Sequence, residues 1–303
     1  MRVTNNMLIQ NFLKNLEMAN NRMDLMQNRL TTGQAITAPS DDPVKIEISL
    51  RFKSNIAAME QWQTNASEAL AILETTEGIL ANMTAMLQRV RELTVQGANG
   101  SNSLDDRRQI ANEVDQLTQQ FRFLANSQVG TRYIFSGTLV DTPPMPEMDK
   151  WNGNSDEFKI EVGSNLTIPV SVNGAKLFWD PLEFKSPDGT EIEVSFFKNL
   201  LNLKTSLENG DDDGINKALA GIDAHLDNLL EARAELGAKT NRVNVIAEQL
   251  TNTIINLKQN LSDIQDADLA ETIMEFQSIQ NIYRAALAVG AQIIQPSLVD
   301  FMR

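Results

Sequence analysis

The residues that could do chemistry are few. His225 is the single histidine of the 303-residue chain, and there is no cysteine. Disulfides, thiolate zinc sites, cysteine nucleophiles and histidine-rich metal sites are therefore excluded. His225 stands between Ile222 and Leu226 beside polar neighbours and reads as a surface or hydrogen-bonded helix histidine. Asp211-Asp212-Asp213-Gly214 has the opening of a calcium loop, but no glutamate stands at the twelfth position, so it reads as a solvated lead-in to a helix. Gly97-Ala98-Asn99-Gly100 lacks the lysine and the strand–helix context of a phosphate-binding loop. Trp62, Trp151 and Trp179 read as packing anchors rather than a carbohydrate platform. No paired-carboxylate or Ser/His/Asp arrangement follows from spacing. The expectation is no enzyme, no cofactor and no metal.

Partners are bounded next. The net charge of −14 opposes binding to nucleic acid or to anionic lipid. The longest apolar run near the C-terminus, Ala285 to Ala291, falls short of the roughly 18 residues a membrane span needs, so no membrane insertion is expected. The opening residues have no apolar core or cleavage site of the signal-peptide kind. The chain is expected either to stay in the cytosol or to leave by a route that reads no removable signal.

What remains is helical patterning. Ile9, Phe12, Leu16, Ala19, Met23, Met26 and Leu30 alternate spacings of three and four, a heptad seam. Gly33 predicts its C-terminal stop. Pro39 and Ser40 read as loop, and Asp41-Asp42-Pro43 as a helix start, with Asp42 as N-cap and proline in the first turn. A second helix is predicted from Pro43 to Gln96, with a seam at Ala66, Ala69, Leu73, Thr76, Leu80, Met83, Leu87 and Val90. Ser103 to Asp106 resembles a capping box before a third helix that stops near Gly130. From Thr138 to Asn209 prolines cluster, and Phe158/Ile160/Val162, Ile168/Val170/Val172 and Ile192/Val194 alternate as strands do. Asn173-Gly174 and Asp188-Gly189 read as hairpin turns. Helical spacing resumes from Ile215 to Ile264. Asp268 and Glu271 suggest another cap, and a last seam runs through Leu269, Ile273, Phe276, Ile279, Tyr283 and Ala286, with Leu287 beside it.

The first and last helices would each be roughly 40 Å long and the two middle ones roughly 75–80 Å. The fold class expected is mainly α: a long antiparallel helical hairpin, a coiled-coil rod, with a small β-rich insert. The domains expected are 1–40 with 266–303, 41–137 with 210–265, and 138–209. A lone pair of striped helices buries only a thin seam. The terminal seams either close within one subunit as an ordinary bundle or become ordered when sister molecules cover them. Met7, Met18, Met23 and Met26 suit the second, because unbranched thioethers adapt to imperfect surfaces.

Two separated stretches carry a resemblance. Leu30-Thr31-Thr32-Gly33-Gln34-Ala35-Ile36 followed by Pro39-Ser40-Asp41-Asp42-Pro43 resembles the loop joining the two inner domains in the flagellin family. Arg233 to Ala238, Asn241-Arg242 and Asp263 to Asp268 resemble its C-terminal counterpart. Together they cover roughly 1–135 and 215–303. Met1-Arg2-Val3-Thr4-Asn5, the stretch Gly130 to Thr138 and the proline-ended 39–43 joint are similar to the branch that joins hook to filament; Gln295-Pro296-Ser297-Leu298-Val299 is common to both branches. The resemblance implies a flagellar part exported unfolded through the flagellar type III pathway and held beforehand by a cytosolic export chaperone. It would assemble with itself, with flagellin and with a hook-side hook-associated protein. Its assembly residues would be the two terminal seams, its inter-domain joint residues 39–43. Flagellin itself and a cytosolic coiled-coil scaffold are the alternatives.

Overall fold

A computed structural model describes residues 5–100, 102–185 and 189–294. The opening residues 1–4, Asp188 of one expected hairpin turn and the closing Gln295 to Val299 motif lie outside them. The chain runs α1 (Asn5–Thr32), α2 (Pro43–Gly97), α3 (Leu104–Ala125), β1 (Gln128–Val129), β2 (Arg132–Tyr133), β3 (Lys159–Gly163), β4 (Leu166–Pro169), one π-helical turn (Ala175–Trp179), β5 (Leu182–Lys185), β6 (Glu191–Val194), α4 (Phe196–Asn209), α5 (Asp212–Gln265) and α6 (Leu269–Ile294). The fold is mainly helical, with N- and C-terminal helices packed on each other and small β-hairpins between. It divides into two compact units, Met1–Ala58 with Thr253–Arg303, and Met59–Asn252. That division falls inside α2 and α5.

Helix ends follow from capping. Gly33 takes φ +71° and its amide closes on the Arg29 carbonyl, ending α1. Asp42 Oδ1 accepts from the amides of Val44 and Lys45, both at 3.0 Å, which starts α2 at Pro43. Ser103 and Asp106 form a full capping box on α3. Asp268 Oδ1 accepts from the amides of Ala270 and Glu271 and starts α6.

In the second unit the seam of α2 is buried throughout, from Ala66 to Val90. It shares one apolar core with Val114 and Phe121 of α3, Leu200 and Leu203 of α4, and Ile222, Leu229 and Leu236 of α5. Side-chain pairs fix the direction of α5 against α2. Gln63 bonds Thr251, Arg233 bonds Glu77 and Arg91 bonds Asp223, so positions rise on one helix as they fall on the other. The two helices are antiparallel.

The three hairpins are separate antiparallel pairs: β1–β2, β3–β4 and β5–β6. Ile160, Val162 and Ile168 are buried and so continue the core, as their alternation predicts. Three local expectations are corrected. Residues 196–209 form α4, so the insert does not stay β-rich to Asn209. Asn173-Gly174 is no hairpin turn; it opens the π-helical turn, with Asn173 Oδ1 accepting from the Lys176 amide. The third helix ends at Ala125, where the Asn126 amide closes on the last-turn carbonyls, and Gly130, at φ +63°, serves the tight turn between β1 and β2 instead.

Candidate assembly interface

Residues 34–43 are tied to the end of α5 by one buried side chain. Gln265 is almost fully enclosed. Its amide oxygen accepts from Ser49 Oγ at 2.9 Å, and its amide nitrogen donates to Gln34 Oε1 at 2.7 Å. Its backbone carbonyl accepts from the Ala35 amide at 2.7 Å, and the Ala267 amide donates to the Gly33 carbonyl at 2.9 Å. A short bridge between Gln34 and Asp266 completes the stitch. Gln265 and Ser49 were not singled out by spacing, since each looks like an ordinary polar helix residue. The one sequence signal was the family resemblance of residues 30–36 and 263–268, which contain Gln34 and Gln265.

Within the joint, Asp41 Oδ2 accepts from the amides of Thr37 and Ala38, both at 3.0 Å, and from the Thr37 hydroxyl. These backbone donors hold its carboxyl below the ordinary carboxylate value. Asp42 caps α2, and Pro43 is its first residue. Pro39 and Ser40 are exposed on the loop. A one-residue difference in role between neighbouring aspartates thus sets both the loop and the helix start.

The terminal helices α1 and α6 pack on each other. On α1, Met26 is buried and Ile9, Phe12, Leu16, Met23 and Leu30 are half-buried. On α6, Ile279 is buried and Phe276 and Tyr283 are half-buried, but Leu269, Ile273 and Leu287 are exposed. The covered face of α6 runs instead through Thr272, Ile279, Tyr283, Ala286 and Gly290. Large apolar residues also stand outside these seams on both helices. Met7, Met18 and Leu25 stand exposed on the side of α1 away from its seam. Met274, Ile282 and Val289 do the same on α6, where Met274 is 66% exposed. Large apolar residues on a second face are expected to be buried as well, and one partner helix cannot cover both.

His225 departs from expectation. It is 2% exposed on α5, edge-on to Phe196 with ring centroids 5.3 Å apart. Neither ring nitrogen has a hydrogen-bond partner of ordinary geometry among the described residues. Burial pushes its pKa down to about 4, with the Val194 backbone opposing the shift. A neutral imidazole buried against Phe196 has no access to a substrate. Among the described residues no group of three or more histidine or acidic side chains could hold a metal ion, and no helix is long and apolar enough to cross a membrane.

Comparison with known proteins accords with this arrangement. The bacterial flagellin N-terminal helical region matches residues 3–139 and the flagellin C-terminal helical region residues 219–302. The flagellin of Bacillus subtilis strain 168 is 28% identical over 96% of this chain and 96% of its own. The flagellar hook-associated protein 3 of Escherichia coli K12 is 27% identical over 94% of this chain and 96% of its own. The crystal structure of hook-associated protein-3 from Legionella pneumophila superposes with a TM-score of 0.63 at 18% identity, over 72% of this chain and 98% of that one. This chain belongs to the bacterial flagellin family and is a structural component of the flagellum, not an enzyme.

Proposed function

We propose that the chain is the subunit that joins hook to filament and that it assembles through its terminal helices. The observation that carries the assembly is the second apolar stripe on α1 and α6. Six large apolar residues face away from the seam the two helices share. Burying each is worth about 1.5–3 kcal/mol, so sister molecules that cover these faces gain stability the lone subunit lacks. The residues called assembly seams then divide into two roles. Met26 and Ile279, with Ile9, Phe12, Leu16, Met23, Leu30, Phe276 and Tyr283, hold the pair together. The exposed Leu269, Ile273 and Leu287 extend the surface offered to neighbours.

The junction reading rests on motifs. The stretch Gly130 to Thr138 and the proline-ended joint Pro39 to Pro43 resemble the junction branch. A hook-associated relative of nearly full-length coverage agrees with it. The partners would be sister subunits, flagellin and a hook-side hook-associated protein, reached after export in the unfolded state with a chaperone on the cytosolic side. The second reading is flagellin itself, favoured by the equally similar Bacillus subtilis protein. An electron-microscopy label on residues 138–209 separates them: a single spot at the filament base supports the junction, labelling along the whole length overturns it. Deleting residues 270–303 should abolish incorporation while the hairpins and α4 stay folded. Normal filament attachment in that truncation would refute assembly through the terminal helices.

A further inference from the structure

We infer that the second unit carries a head-to-tail contact of its own, in which Phe123 of one subunit enters an apolar cavity on the next. This rests on the assembly just proposed and adds a second, separate interface to it. Phe123 is the most exposed large apolar side chain among the described residues, at 75%. It sits on α3, whose core-facing neighbour Phe121 is fully buried, so its outward position is set by the helix and not by a frayed end. The cavity, of about 320 Å³, lies over α2 and the β1–β2 hairpin. Its walls are Ile72, Tyr133, Phe158 and Val170, and its only charged lining residues are Glu68 and Arg132.

The occupant is argued from charge and shape. Sister chains of net charge −14 repel, which favours a contact where charge is locally cancelled. At the cavity, Glu68 and Arg132 pair with each other at 3.5 Å, and Arg132 lies over the Phe158 ring at 5.1 Å. Around Phe123 the neighbours one turn away are Gln119, Gln120 and Asn126, all neutral. Arg122 beside it donates to the Pro146 carbonyl. Asn126 and Gln119 are already bonded within the subunit, to Met145 and Asp115, so this neutral surround can approach an ion pair without setting a like charge against it. An aromatic side chain suits a cavity with two aromatic walls, where ring pairs add to simple burial. Because the knob and the hole are different patches, the contact is heterologous and repeats from subunit to subunit. A ring or tube requires that property.

The chain has no cysteine, which makes the test direct. Full-length Phe123→Cys and Ala71→Cys variants, the second at the exposed rim of the cavity, are mixed under oxidising conditions with one of them carrying a size tag. The expected product is the mixed 123–71 disulfide well above its statistical share. A statistical mixture of the three possible pairs overturns the contact. In parallel, Phe123→Asp should raise the subunit concentration needed for assembly by about thirtyfold, the size expected for loss of an interface anchor. Assembly at the wild-type concentration with unchanged circular dichroism also overturns it. If the 270–303 truncation assembles normally while the mixed disulfide dominates, only the terminal-helix reading fails. If the truncation is dead and the disulfides are statistical, only the Phe123 contact fails.

Discussion

Phe12 of α1 lies against the bare backbone of Gly290 on α6, so closely that a first side-chain carbon at Gly290 would collide with its ring. Gly290 therefore serves packing here, since it lies within the helix and its role is to let the two helices approach. Gly290→Val should destabilise the pair by about 1–3 kcal/mol through overpacking. Amide exchange across 5–32 and 269–294 would quicken while α3 exchange stays unchanged. Adding Phe12→Ala should recover part of the protection, because the added methyls then have space. Unchanged exchange in the single variant would show that this contact does not hold the pair.

Gln265 makes a second prediction. Gln265→Leu keeps the bulk but leaves Ser49 Oγ and Gln34 without their buried partner. The expected cost is about 1–3 kcal/mol, from desolvated groups left unpaired. Denaturant unfolding measures it, and Ser49→Ala in the same background should relieve part of the loss. Full additivity of the two substitutions would mean that the network is not coupled.

Stability should depend on pH through His225. The unfolded imidazole takes a proton below its ordinary 6.5, the folded one only below about 4. The folded state thus has its full stability above 6.5 and loses about 3 kcal/mol as pH falls from there to about 4. His225→Leu should remove that part of the acid sensitivity while carboxylates still contribute theirs. Parallel stability curves for the two proteins between pH 4 and 6.5 would contradict it.

Asp41 offers a local readout. Asp41→Ala removes the acceptor of two loop amides. Exchange at Thr37 and Ala38 should quicken, with α2 intact because Asp42 still caps it. In the wild type the carboxyl, held below its ordinary value, keeps these bonds as pH falls to 3.8 and loses them only on further acidification. Its carbonyl-carbon titration by NMR checks this directly.

Much of the fold was legible in the sequence. The α2 seam, the Ser103 and Asp268 caps, the Gly33 stop and the period-two runs of β3 and β4 each follow from local rules of spacing and capping, and each is observed. Helix α4 was missed although Phe196, Leu200, Leu203 and Leu207 repeat at helical spacing behind a serine. The prolines and strands before it drew the reading towards β structure. The seam of α6 divides between the face that meets α1 and an exposed face, because a helix apolar on all sides gives periodicity no single face to find. Leu269, Ile273 and Leu287 fit a stripe as well as Thr272 and Gly290 do, yet only contact with α1 decides which side is covered.

Residue order alone therefore determined where helices start and stop, which chemistry is excluded and that the ends are built for burial, since those depend on neighbours a few positions away. The tertiary structure decided what Gln265 binds, that His225 is buried against Phe196, which side of α6 meets α1, and that Phe123 projects while an apolar cavity beside the Glu68–Arg132 pair stands open. Such facts depend on residues brought together from distant parts of the chain, and no local pattern encodes their distance.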